Sequence, residues 1–108
     1  MRLTITEQIL LTAVWSLQDE AYGVKIMDRV CEYIKKDIAF GTLYNNLDQL
    51  IKKGYAESYK GEPTAVRGGK RKLFYKITAK GIHALKEAGE LQRRLRKDIP
   101  NYAVDRSK

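Results

Sequence analysis

The chain has 108 residues, 44% apolar and 31% charged, a composition that fits one globular domain and excludes a disordered chain. Its 21 lysines and arginines against 13 acids give a formal net charge of +8, which favours a polyanionic partner, nucleic acid before an anionic membrane surface. The only cysteine, Cys31, excludes an internal disulfide, and with the only histidine, His83, it is too little for a His/Cys metal site.

Thr4-Ile5-Thr6-Glu7 reads as a capping box. It opens a first helix over 5–18, with Ile9, Leu10, Ala13, Val14 and Leu17 at helical spacing. Gln18-Asp19-Glu20 ends it as a polar turn. A second helix is predicted over 22–36, with Val24, Met27, Val30, Cys31 and Ile34 as its buried face. Lys35 and Lys36 complement the dipole at its C-terminus. A third helix runs over 40–53 on Leu43, Leu47, Leu50 and Ile51, and Gly54 stops it. The pattern then changes. Residues 55–60 alternate and predict a strand, 61–69 a glycine- and proline-punctuated loop, and 71–77 a second strand, together a hairpin with a basic tip. Thr78 caps a fourth helix to about residue 97, Pro100 stops it, and a polar tail follows. No apolar run approaches the roughly 18 residues of a membrane span. Met1–Glu7 lacks a signal peptide's apolar stretch, so a cytoplasmic location is expected.

The fold class is therefore mainly α with a small β-hairpin, the order of a winged helix-turn-helix. Residues 1–77 are expected to form a DNA-binding domain, 78–99 a C-terminal dimerisation helix and 100–108 a flexible tail. On helical geometry, the side of the third helix opposite its leucines carries Thr42, Asn45, Gln49 and Lys52, with Asn46 and Lys53 flanking. Asn and Gln suit adenine edges in the major groove, and Thr and Lys suit phosphates or base edges. Asp48 at the edge of this face has the wrong charge for phosphate and is expected to turn aside or pair with a lysine. Tyr44 lies between the two faces, either half-buried or turned outwards. In the hairpin Lys60, Arg67, Lys70, Arg71, Lys72 and Lys76 accompany only Glu62 as a nearby acid, and Arg67 or Lys70 is placed to reach phosphates or the minor groove. On the fourth helix, Ile82, Leu85 and Gly89 are expected to cover the domain's own core. Ala84, Ala88, Leu91 and Leu95 form a second stripe with the spacing of a helix–helix seam, expected to be the dimer contact. Trp15 reads as core, Cys31 as inert and His83 as a surface or interface residue.

Ala21-Tyr22-Gly23, then Gly41-Thr42-Leu43-Tyr44 with Leu47, Leu50 and Gly54, then Arg71-Lys72-Leu73-Phe74-Tyr75-Lys76-Ile77-Thr78 with Gly81, resemble the PadR-type regulators. The family often has proline after the tyrosine of the third helix, where this chain has Asn45. The resemblance implies a winged-helix regulator of the short subgroup, dimerising through one C-terminal helix, with Tyr44 at the DNA surface. It also makes Trp15 a candidate lining of a pocket for a small aromatic effector near the dimer contact. The tryptophan that stacks drugs on the C-terminal helix of one subgroup has no counterpart here. The expected function is a sequence-specific, duplex-binding regulator, a repressor acting as a homodimer on a palindromic operator. The recognition helix 40–53 would lie in the major groove and the basic wing 60–72 on the backbone or minor groove. The alternative is a winged-helix module for a protein partner or RNA. No catalytic triad order, phosphate-binding loop or carboxylate cluster is present, so no enzyme and no cofactor are expected.

Overall fold

A computed structural model describes residues 3–61 and 72–98. The capping box forms as expected: the Thr4 hydroxyl accepts the Glu7 N–H at 3.1 Å, and the Glu7 carboxylate accepts the Thr4 N–H at 2.9 Å. It starts α1 (Ile5–Leu17), which ends where Gln18 takes a positive φ of 52° and a single 3-10 turn follows over Gln18–Glu20. Next come α2 (Gly23–Ile34), closed by Lys35 in the left-handed conformation, and α3 (Phe40–Lys52). Gly54 turns the chain out of α3 at φ 82°, a backbone state that costs glycine least.

Strands β1 (Ala56–Lys60) and β2 (Leu73–Ile77) pair antiparallel, Ala56 opposite Ile77 and Lys60 opposite Leu73. The hairpin is stitched to the helices where the Tyr75 N–H donates to the Ala21 carbonyl at 2.8 Å. Finally α4 (Ala79–Asp98) begins on Thr78, whose hydroxyl accepts the Gly81 N–H at 3.1 Å, the cap expected from the sequence.

The core fills the angle between the first three helices. Leu10, Leu11 and Val14 of α1 meet Ile26 and Val30 of α2 and Leu43, Leu47 and Leu50 of α3, with Tyr55, Ala56 and Tyr75 of the hairpin closing one side. Each such aliphatic side chain contributes about 1.5–3 kcal/mol on burial.

Several sequence expectations are corrected. Val24 is 55% exposed, because α2 turns Gly23, Ile26, Met27 and Val30 inwards and Val24 lies about 100° off that stripe. Trp15 is 51% exposed: the inward residues of α1 are Glu7, Leu10, Leu11, Ala13 and Val14, and the next residue is carried to the outside. On α4, Gly89, expected to cover the core, is exposed with open space around it, while Ala84, at the inner end of the expected dimer stripe, is half-buried beside Leu85. The only buried residue of α4 is Gly81, where a β-carbon would collide with the backbone carbonyl of Tyr55.

Glu7 is a buried charge that sequence reasoning treated only as a cap. It is 3% exposed and its second carboxylate oxygen receives the Lys53 ammonium at 2.5 Å. Burial pushes its pKa up, but the Lys53 hydrogen bond and charge and the Thr4 contacts outweigh this and hold it below the ordinary 4.5. The stabilisation is therefore fully present above pH 4.5 and is lost as pH falls through the lowered folded-state value. Glu7→Gln is expected to lose about 1–2 kcal/mol in urea unfolding at pH 7, since the exposed side of Lys53 can still reach water. The gap between the two proteins should close in acid, and a gap independent of pH would contradict the charged pairing.

Candidate nucleic-acid interface

The three fully buried leucines of α3, Leu43, Leu47 and Leu50, decide what the helix shows to solvent. Thr42, Asn45, Gln49 and Lys52 are all exposed, along one outward side. The flanking positions differ. Asn46 is half-buried and its amide donates to the Thr42 carbonyl at 2.8 Å. Lys53 follows the last turn, with its ammonium on Glu7, so the structure brings it to α1 and not to the outward strip. Asp48 is exposed and, among the described residues, makes no salt bridge.

Tyr44 resolves between its two expected places by taking both. It is 40% exposed and stacks on Phe40 with ring centroids 6.2 Å apart, while its hydroxyl end lies over Gly23. A β-carbon on Gly23 would collide with that hydroxyl, so the glycine at the start of α2 makes room for the α3 tyrosine. Tyr75 of β2 is buried nearby. Burial pushes its phenol above the ordinary 10.0, with Tyr44 and Asp48 adding to the shift.

The loop end of the two strands carries an aromatic knot. Tyr59 stacks on Phe74 at 5.6 Å, and Tyr22 meets Phe74 edge-on at 5.4 Å. The Lys72 ammonium sits 4.1 Å from the centre of the Tyr22 ring, a cation–π contact that keeps its charge at the surface. Lys60, Lys72 and Lys76 are all exposed. Arg67, Lys70 and Arg71 lie outside the described residues. Glu62 is not the only acid near these cations: Glu57 stands opposite Lys76 in the register and approaches it to 4.0 Å. The signal was available: both are one strand pair from the end of the hairpin and face the same side.

Further along, α4 carries half-buried Ala88 and Leu91 and exposed Leu95, the last 49% exposed. A trough of about 280 Å³ runs between Ala84, Ala88 and Leu91 and the start of α1 at Leu3 and Gln8. Trp15 does not line it. Among the described residues, no three His, Cys, Asp or Glu side chains gather to hold a metal ion, and no helix is long and apolar enough to cross a membrane.

A three-helix unit with its third helix turned outwards, a hairpin beside it and a long helix behind define a winged helix-turn-helix protein. The profile of the Transcriptional regulator PadR-like family matches residues 10–87, and the chain belongs to that family, one of transcription regulators and not enzymes. Solved structures agree. A transcriptional regulator from Clostridium thermocellum is 29% identical, with a TM-score of 0.65 over 84% of this chain and 82% of that one. A PadR family transcription regulator from Clostridium difficile is 26% identical, at 0.65 over 84% and 91%. A PadR-like transcription factor from Bacteroides fragilis, 24% identical, shares the fold at 0.67 over 96% and 90%. No curated protein matches the sequence.

Gly23→Ala tests the seat of Tyr44. The variant is expected to fold with stability lower by about 1–2 kcal/mol and with the Tyr44 ring resonances moved as the ring swings outwards. Unchanged Tyr44 resonances would contradict the contact.

Proposed function

We propose that the protein binds duplex DNA sequence-specifically as a homodimer and represses transcription in the cytoplasm, with α3 in the major groove. The observation that carries this is the exposed strip Thr42, Asn45, Gln49 and Lys52 on a helix anchored by three fully buried leucines. Asn45 and Gln49 offer paired donor and acceptor groups to base edges, and Thr42 and Lys52 suit phosphates. Tyr44 presents its outer edge beside them, and half-buried Asn46 borders the strip. Lys53 serves by holding the end of α3 to α1 through Glu7. The wing 60–72 would lie on the backbone or minor groove, with Arg67, Lys70 and Arg71 neutralising phosphates. The exposed lysines at its root and the net charge of +8 support that role.

The dimer reading rests on α4. A helix of 20 residues with one buried residue is poorly supported by its own chain. Ala88, Leu91 and Leu95 form the row a second copy would cover, with Ala84 at its inner end. A two-fold dimer would place the two α3 helices about 34 Å apart on a palindromic operator. The half-exposed Trp15 does not line the α4 trough, and it would offer its indole to a small aromatic effector from the outer side of α1.

Fluorescence anisotropy on duplexes tests the assignments. Arg67→Glu with Lys70→Glu is expected to weaken binding to every duplex and to flatten its salt dependence by about one unit of slope per lost phosphate contact. Asn45→Ala or Gln49→Ala should instead change the ranking of duplexes. If neither pair alters binding, this surface is not the interface. For the dimer, Leu91→Glu with Leu95→Glu is expected to sediment as a folded monomer. An unchanged dimer would remove α4 from the contact.

A further inference from the structure

We propose that the partly open cavity between α1, α2 and α3 is a binding site for a small apolar carboxylate, whose occupancy lowers duplex affinity. The second half rests on the duplex-binding reading above. The cavity measures about 270 Å³, lies between the three helices with a mouth open to solvent, and is separate from the α4 trough. Its walls are Ile9 and Leu10 of α1, Val30 and Ile34 of α2, Ile38 of the link and Leu43 of α3. Leu10, Val30 and Leu43 are buried, and the three isoleucines are partly so. Walls of this kind favour a hydrocarbon guest, and the volume lies just under that of pockets for drug-sized ligands.

The polar groups at this cavity decide the chemistry of the guest's other end. They are Thr6, Lys36, Thr42 and Asn46, so Lys36 supplies the only charge. It is exposed and, among the described residues, forms no ion pair. The neighbouring acids are turned away: Asp37 lines a separate groove with Asp28 and Glu32, on the other side of Ile38. A carboxylate head therefore meets a cation, two hydroxyls and an amide, whereas an ammonium head meets Lys36.

The link to DNA is geometric. Thr42 of the outward strip and half-buried Asn46 at its border also line this cavity, and Leu43 between them is part of its wall. A guest wedged between Leu43 and α2 tilts the N-terminal half of α3 and places its head against Thr42. Binding at either place then disfavours binding at the other, as linkage requires.

Octanoate is the probe, with octanol and octylammonium as charge controls. The full-length protein is labelled at isoleucine δ1 methyls. Ile9, Ile34 and Ile38 report the cavity, and Ile77 and Ile82 serve as controls outside it. Millimolar octanoate is expected to shift the first three saturably and the controls little. Octylammonium should bind more weakly, and Lys36→Gln should weaken octanoate by roughly two- to five-fold while leaving octanol unchanged. Ile38→Trp, which fills the cavity from its partly exposed side, should abolish the response while the spectrum of a folded protein persists. Equal shifts at all isoleucines, no saturation, or an octylammonium preference would overturn the site. Saturating octanoate should also raise the duplex Kd roughly five-fold or more. Site binding with an unchanged Kd would overturn the coupling. A protein that binds no duplex at all would sink the proposed function and the coupling while the methyl shifts still decide the site.

Discussion

Leu43, Leu47 and Leu50 lose all contact with water when α3 docks against α1 and α2. Burial of each contributes about 1.5–3 kcal/mol. Rolling the helix by one residue, about 100°, would expose them and drive Tyr44 and Asp48 inwards, at a cost comparable to the stability of a small domain. The rotation of α3 is thus fixed by its apolar side. The identity of the residues facing solvent follows from that rotation and from nothing specific to a ligand. The outward strip, the half-seated Tyr44 and the cavity wall at Leu43 are three consequences of one docking event.

The far end of α3 is held by polar contacts. Lys53 reaches back to Glu7 of α1, and its carbonyl accepts the Lys80 ammonium of α4 at 2.8 Å. The Thr78 hydroxyl donates to the Gly54 carbonyl at 2.6 Å, and the Thr78 N–H donates to Tyr55. Gly81 lets α4 lie against that same Tyr55 backbone. The start of α4 is therefore fastened to the end of α3, so a force applied along α4 is delivered to α3. In a dimer built through α4, the separation of the two α3 helices would be set by this joint.

The sequence made legible whatever a repeated spacing or a single decisive residue type encodes. The α3 leucines stand at i, i+4 and i+7 on an otherwise polar helix, so their side is unambiguous. The capping box and the Gly54 stop each need particular residues and were equally plain. On α1, Ile5, Ile9, Leu10, Leu11, Val14, Trp15 and Leu17 surround much of the helix, so spacing alone does not say which are inside, and Trp15 was misplaced. On α2 the misplaced Val24 stands one residue from a glycine that does face inwards, and glycine carries no hydropathy signal of its own. Glu7 and Lys53 are 46 residues apart, and their pairing exists only after α1 and α3 have docked. The candidate DNA surface was readable as the complement of the leucines. The diversion of Lys53 away from it was not, for the same reason.

The most direct test of the central claim is selection of duplexes from a random pool by the full-length protein at two salt concentrations. The account predicts enrichment of a palindrome with half-sites about one helical turn apart, surviving at the higher salt. Tight binding at low salt that vanishes at moderate salt and enriches no sequence would show a non-specific electrostatic footprint only. It would contradict the assignment of α3 as a reading helix.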